Sequence, residues 1–416
     1  MPKLSRRGNT AYASPIRKLE DAAQAATERG TRIYHLNIGQ PDIPTPPVAL
    51  DALRRTDLKV LEYGPARGLL SYRKKLVEYY RRHRLELAYQ HIIVTTGASE
   101  AIYLTLLSCC DPGDEIIIPE PFYAIYNGFA QSTGIKIVPI ATQFETGFAL
   151  PDAETFAEKI TDRTRAILIC NPNNPTGCLY TETQIRQLAE VVRRHDLFLL
   201  CDEVYREFNY GDSDFFSVLE VPELERHAVV MDSISKRYSS CGARVGAVVS
   251  RNVDLLDNLT KFARFRLCPP GLGQILAEAT LDEASAYLEN AVAEYRRRRD
   301  LLVRRLRVMP GVDCYEPGGA FYCFVRLPVD DTEDFCRWLL ESFSHQSETI
   351  MLAPGAGFYA TPNRGKNEVR IAYVLNERDL NRAMDLLERA LAVYPPVASS
   401  LSDKVRKSPD FQTRVG

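Results

Sequence analysis

Between residues 90 and 250 the chain alternates short apolar runs with stretches of helical periodicity, and this alternation limits the fold more than any other feature of the sequence. The runs fall at 92–95, 115–119, 166–170, 197–201, 228–232 and 243–249. They are almost continuously apolar, so each must be covered on both faces, which is the condition of a mainly parallel sheet wrapped by helices. The helical stretches between them supply the crossovers that parallel neighbours need.

At 416 residues the chain exceeds the roughly 250–300 residues that one hydrophobic core holds, so a second lobe is expected. Ser14 as cap, Pro15 at the first helical position and Gly30 as the stop predict an N-terminal helix over 14–30, with Ile16, Leu19, Ala22, Ala23 and Ala26 on one face. The Pro-rich segment 37–44 has to run as irregular backbone. A charged helical stretch ends near Met309; strands are then expected at 312–314, 321–326, 348–352 and 369–373, and helices at 332–342 and 377–394. That mixture predicts a smaller α+β lobe. The expected division is 1–50 joining the small lobe, 51–290 as the large lobe, 291–394 as the small one, and a Ser-rich, charged tail over 395–416 without fixed structure.

Lys and Arg number 52 against 54 Asp and Glu, a net charge of −2 that gives no pull toward nucleic acid or an anionic membrane. A small-molecule partner is favoured. The start of the chain lacks the apolar stretch of a signal peptide and no run approaches ~18 apolar residues, so a cytoplasmic location is expected. The ten cysteines form no C-x-x-C pair or metal-type cluster and are expected as free thiols. The run Arg296-Arg297-Arg298-Arg299 is expected on a solvated helix face.

Four motifs at the ends of the apolar runs carry chemistry. Thr96-Gly97-Ala98-Ser99-Glu100 turns from a strand into a helix, the arrangement that aims backbone N–H groups at a phosphate, although a plain turn has the same composition. Asn171-Pro172-Asn173-Asn174-Pro175-Thr176-Gly177 is a turn by composition, yet it lies where open α/β sheets bind ligands. Asp202 ends a buried-looking strand, where a carboxylate is costly unless it meets a cation such as a protonated pyridine nitrogen. In Ser233-Ile234-Ser235-Lys236, with Arg244 eight residues on, hydroxyls and an arginine suit a phosphate held beside a reactive amine.

In order and spacing, from Ser14 to Tyr394, these motifs resemble the class I and II aminotransferases, the aspartate-aminotransferase superfamily of fold-type I enzymes that use pyridoxal 5′-phosphate. The resemblance implies a large α/β domain with a mainly parallel seven-stranded sheet, plus a smaller α+β domain. It implies that Lys236 forms the Schiff base and shuttles the substrate proton, that Asp202 pairs with the pyridine nitrogen, and that Tyr205 and Asn174 bond the phenolic oxygen. Tyr123 would stack on the ring. Ala98, Ser99, Ser233 and Arg244 would hold the phosphate, joined by Tyr63 from the other subunit of a homodimer with shared sites. Arg370 would grip the substrate α-carboxylate, beside Asn174 and the Gly39 backbone.

The reaction so implied moves an amino group from an L-amino acid to a 2-oxo acid by ping-pong kinetics. Aspartate with 2-oxoglutarate is the first pair to consider. Some aspartate-specific relatives carry lysine where this chain has Ser99, so that aid to distal-carboxylate binding is missing. Arg266 lies close to where other relatives place a second-carboxylate arginine from the partner subunit, and an interface anchor is its competing role. A lyase or decarboxylase would share Lys236, Asp202 and Arg244. A non-enzymatic ligand-binding module is the reading from another class.

Overall fold

The computed structural model describes residues 2–12, 14–211, 214–282 and 285–395. Strand β1 (Arg32–His35) follows the helix Glu20–Glu28. The apolar runs then give β2 (Ile92–Thr95), β3 (Glu115–Glu120), β4 (Lys136–Ala141), β5 (Thr164–Cys170), β6 (Phe198–Asp202), β7 (Ala228–Ser233) and β8 (Gly246–Val249). These seven make one sheet in the order β2-β8-β7-β6-β5-β3-β4. Every pairing from β4 across to β7 is parallel, and β8 runs antiparallel to both β7 and β2.

Side chains along a strand point alternately to opposite faces, and here both faces are covered. Ile92, Val94, Ile117, Ile167 and Ile169 pack with Tyr72, Leu76 and Tyr80 of the helix Leu70–Arg82 and with Ile185, Leu188 and Val192 of the helix Glu182–Arg194. The intervening residues Ile93, Ile116, Ile118 and Leu168 pack with Ala101 and Ile102 of the helix Gly97–Cys109 and with Leu255 and Leu259 of the helix Val253–Ala263.

The C-terminal part adds β9 (Asp313–Cys314), β10 (Tyr322–Arg326), β11 (Glu348–Met351), β12 (Ala353–Pro354) and β13 (Glu368–Ala372). Four of these form an antiparallel sheet in the order β12-β13-β10-β9, while β11 pairs in parallel with β1. Leu19, Ala23 and Leu36 join the core of this lobe, so both ends of the chain share it.

Several expectations are corrected. The N-terminal helix begins at Glu20 rather than Ser14, and 15–19 are turns, because Asn37 Nδ2 donates to the Ile16 carbonyl and Pro15 packs against Gly357. Strand β8 starts at Gly246 rather than Ala243, since Arg244 takes a left-handed conformation at φ +53°. The arginine run is not one solvated face: Arg298 is buried and bonds Glu294, Asp42 and the Val374 carbonyl. Strands β1 and β4 had no counterpart among the expected runs; Arg32, His35 and Lys136 interrupt their apolar pattern. The ten cysteines are free, six of them buried. Apart from Pro395, the tail lies outside the described residues.

Candidate active site

The carboxyl ends of β2, β3, β5, β6 and β7 share one edge of the sheet, and the segments leaving them line a cavity of about 320 Å³ together with Arg370 and Tyr322 of the small lobe. Ligands in open α/β sheets sit at this edge. Four of the lining side chains are cations, Arg17, Lys236, Arg244 and Arg370, and one is an anion, Asp202.

Strand β7 ends in Ser233, which caps the short helix Ile234–Arg237. Consecutive residues of that helix point in different directions. Lys236 faces the cavity, where its amine donates to the Gly39 carbonyl at 2.8 Å. Arg237 is buried in the core and binds Asp232 through both guanidinium ends at 2.7 and 3.0 Å, with the Tyr80 hydroxyl on the same carboxylate at 2.7 Å. Burial works to raise the Asp232 carboxyl, but Arg237 and Arg206 outweigh it and hold it down to about 2. The backbone that carries Lys236 is thereby pinned by a bidentate ion pair.

Asp202 closes β6 and is buried, accepting from the Tyr126 hydroxyl at 2.9 Å and the Val204 amide at 3.3 Å. It makes no ion pair among the described residues, and burial pushes its carboxyl up to about 6. A buried carboxylate at a cavity wall without a cation is the half-site for a cationic ring N–H. Tyr205, one turn on, sets its hydroxyl 2.9 Å from that of Tyr322. Burial pushes the Tyr205 phenol well up and the Tyr123 phenol up to about 12, so both remain protonated donors.

At the end of β2, Gly97 has φ +74° and opens a thirteen-residue helix whose first turn holds Ala98 and Ser99. Their N–H groups are among the four that a helix start leaves without intrahelical partners. A Cβ on Gly97 would lie 2.4 Å from Arg244 Nη2, so glycine lets the guanidinium approach. Arg244 donates to the Cys241 carbonyl at 3.0 Å and has no carboxylate partner among the described residues. Ser233 Oγ lies 2.8 Å from Ser235 Oγ and from the Val245 carbonyl. Helix amides, hydroxyls and an arginine free of carboxylates form a phosphate-type donor set.

On the small lobe, Arg370 of β13 is buried and lies 4.5 Å over the Tyr322 ring. Its Nη1 donates to Asn174 Oδ1 at 2.9 Å and its Nη2 to the Asn37 carbonyl, while Nε has no partner among the described residues. Gly39 adjoins it: a Cβ there would fall 1.7 Å from the Tyr322 hydroxyl.

The cavity therefore gathers Gly39, Ala98, Ser99, Tyr123, Asn174, Asp202, Tyr205, Ser233, Lys236, Arg244 and Arg370. Two expected site residues lie outside it. Tyr63 is 78% exposed, and with Arg266 it lines a separate surface depression. Arg266 Nε donates to Glu100 at 2.8 Å and its two terminal nitrogens to the Val94 and Ala66 carbonyls, so its donors are taken up within its own chain. Sequence reasoning missed Tyr322, Tyr126 and Asn37. Tyr322 lay in the expected strand 321–326 and Asn37 in the irregular segment 37–44, while Tyr126 fell in no expected element; only their partners distinguish them.

A two-lobed α/β fold with a lysine, a buried carboxylate and an anion cup at one sheet edge is that of a fold-type I transferase. Residues 31–387 match the family described as Aminotransferase class I and II, and the chain belongs to that family. The aspartate aminotransferase of Pyrococcus horikoshii is 32% identical, covering 91% of this chain and 94% of its own. The aspartate/prephenate aminotransferase of Thermus thermophilus is 30% identical, with 94% and 99% covered. Among solved structures, alanine aminotransferase from Pyrococcus furiosus superposes with a TM-score of 0.85 and aspartate aminotransferase from Thermus thermophilus with maleate with 0.84; both are 28% identical, with 94% of this chain and all of theirs covered. These matches favour amino-group transfer over the lyase, decarboxylase and ligand-binding-module readings.

Proposed function

We propose that the cavity binds pyridoxal 5′-phosphate and transfers the amino group of a dicarboxylic amino acid, aspartate first, to a 2-oxo acid such as 2-oxoglutarate. The observation that carries this is the pairing within one cavity of the Lys236 amine with a buried Asp202 that has no cation of its own. The residues present fit the cofactor. Asp202 would hold the ring N–H, Tyr205 and Asn174 the phenolic oxygen, and Tyr123 would cover the ring. Ala98, Ser99, Ser233 and Arg244 would hold the phosphate.

When bound, the cofactor supplies an electron sink for the pair released at the substrate α-carbon. The protein does the remainder. Arg370 and Asn174 orient the α-carboxylate, and a planar guanidinium suits that bidentate task better than an ammonium. Lys236 is the residue to which the cofactor would be joined, and its amine would move the proton of the substrate α-carbon. The Gly39 carbonyl holds the amine at the ready position.

The dicarboxylic preference is supported by the names of the two relatives above and by the maleate, itself a dicarboxylic acid, in the Thermus structure. A homodimer is supported by the exposure of Tyr63 in company with Val60, Leu61 and Phe265, an apolar surface of the kind that subunits cover. Each site would then be completed by Tyr63 of the partner subunit.

The test is to record the visible absorption of the purified, cofactor-loaded enzyme and add amino acids one at a time. Each true donor should abolish that absorption and release one equivalent of the matching 2-oxo acid. Retention of borohydride-fixable cofactor by Lys236→Ala would refute the central assignment.

A further inference from the structure

Three of the four cations that line the cavity have tasks in the reading above: Lys236 in the chemistry, Arg244 at the phosphate, Arg370 at the α-carboxylate. Arg17 has none. It stands in the turn 15–19 that replaces the start of the expected N-terminal helix. That turn is held in place by Asn37, whose Nδ2 donates to the Ile16 carbonyl at 3.2 Å while its own carbonyl accepts from Arg370. Arg17 and Arg370 are therefore tied to the same residue, one through its side chain and a neighbouring backbone carbonyl, the other directly.

Among the described residues the only polar partner of the Arg17 guanidinium is Glu20, three residues on, at 2.9 Å. Both side chains are more than half exposed, 66% and 51%. Such a pair is weak and readily exchanged for another carboxylate. The same cavity is also lined by Ile16, Ile38, Ile102 and Ile125, apolar side chains that suit the methylenes of a short aliphatic chain. Arg266, by contrast, is already bound to Glu100 and two carbonyls.

We infer that Arg17 is the specificity-determining residue for the second, distal carboxylate of dicarboxylic amino acids and 2-oxo acids, binding it in exchange for Glu20 while Arg370 holds the α-carboxylate. This rests on the proposed use of dicarboxylic substrates by this same cavity. The absence of lysine at position 99 is then compensated by an arginine from the N-terminal segment.

The experiment uses the cofactor-loaded enzyme and the variant Arg17→Gln, made at a side chain that is more than half exposed. Steady-state kcat/KM is measured for aspartate, glutamate, alanine and leucine, and dissociation constants for succinate and butyrate by calorimetry. Loss of a charge-assisted hydrogen bond pair should lower kcat/KM for aspartate and glutamate, and affinity for succinate, by about ten- to a hundredfold. Values for alanine, leucine and butyrate should stay within about threefold, and Arg17→Lys should recover part of the loss. Equal losses on both substrate classes, or no loss on either, would overturn the assignment of Arg17 while leaving the proposed function standing. A wild-type enzyme that turns over alanine and leucine but neither dicarboxylic amino acid would overturn both.

Discussion

Asp202 and Asp232 lie at the ends of neighbouring strands, one at the last position and one next to it, are both buried, and differ in charge environment. Asp232 faces Arg237 and is held down to about 2; Asp202 makes no ion pair among the described residues, and its burial outweighs the charge of Lys236 and pushes it up to about 6. The sign of each on stability follows. An unfolded aspartate titrates near ~3.9. Asp202 in the cofactor-free fold binds its proton more tightly than the unfolded chain does, so its contribution falls as pH rises from ~4 to ~6, by roughly 3 kcal/mol at full effect. Asp232 contributes in the opposite sense, with stability present above ~3.9 and lost as pH falls toward ~2. Urea unfolding of the cofactor-free protein at pH 4.5 and 7 should therefore show Asp202→Asn gaining on the wild type at the higher pH only. Asp232→Ala, which leaves the Arg237 guanidinium buried and unpaired, should lose about 3–5 kcal/mol at both.

At the scale of elements, function depends on what the strand ends do with the backbone. The β2-to-helix turn needs φ +74° at Gly97 and a guanidinium packed where a Cβ would stand. Gly97→Ala combines a left-handed penalty of about 1–2 kcal/mol with displacement of Arg244. The expected result is an affinity for pyridoxal 5′-phosphate at least about tenfold weaker by fluorescence titration, with far-ultraviolet circular dichroism unchanged. The helix Ile234–Arg237 acts as a two-sided clip, with Arg237 in the core and Lys236 in the cavity. Such paired orientations follow from helical geometry and were legible in advance only as a lysine next to an arginine.

For the whole molecule, Val60, Tyr63 and Phe265 are exposed apolar side chains that the proposed homodimer would cover. Shared sites have a consequence that separates them from mere association. Lys236→Ala and Tyr63→Ala should each be impaired alone. Mixed after unfolding and refolding together, they should form hybrid dimers with one intact site in two. Random pairing makes half the dimers hybrid, so about a quarter of the wild-type rate should return, above the sum of the parents. Activity no greater than that sum would place Tyr63 outside the site.

The parallel sheet was legible in the sequence, because doubly covered strands must be apolar throughout, and so were the strand ends that line the cavity, because Asn-Pro turns, a terminal Asp and a Ser-flanked Lys stand out against apolar runs. The sequence did not reveal β1 or β4, whose polar residues break the run, and it extended the N-terminal helix over the turn that brings Arg17 to the cavity. Only the tertiary structure decided that Arg17 lines the site and Arg266 does not, that Arg298 is buried, and that Tyr322, Tyr126 and Asn37 position their better-marked neighbours. Those roles are set by partners distant in the chain: Asn37 meets both Ile16 and Arg370, and Tyr205 meets Tyr322. Local periodicity carries no record of such meetings, since they join segments that lie far apart in the chain.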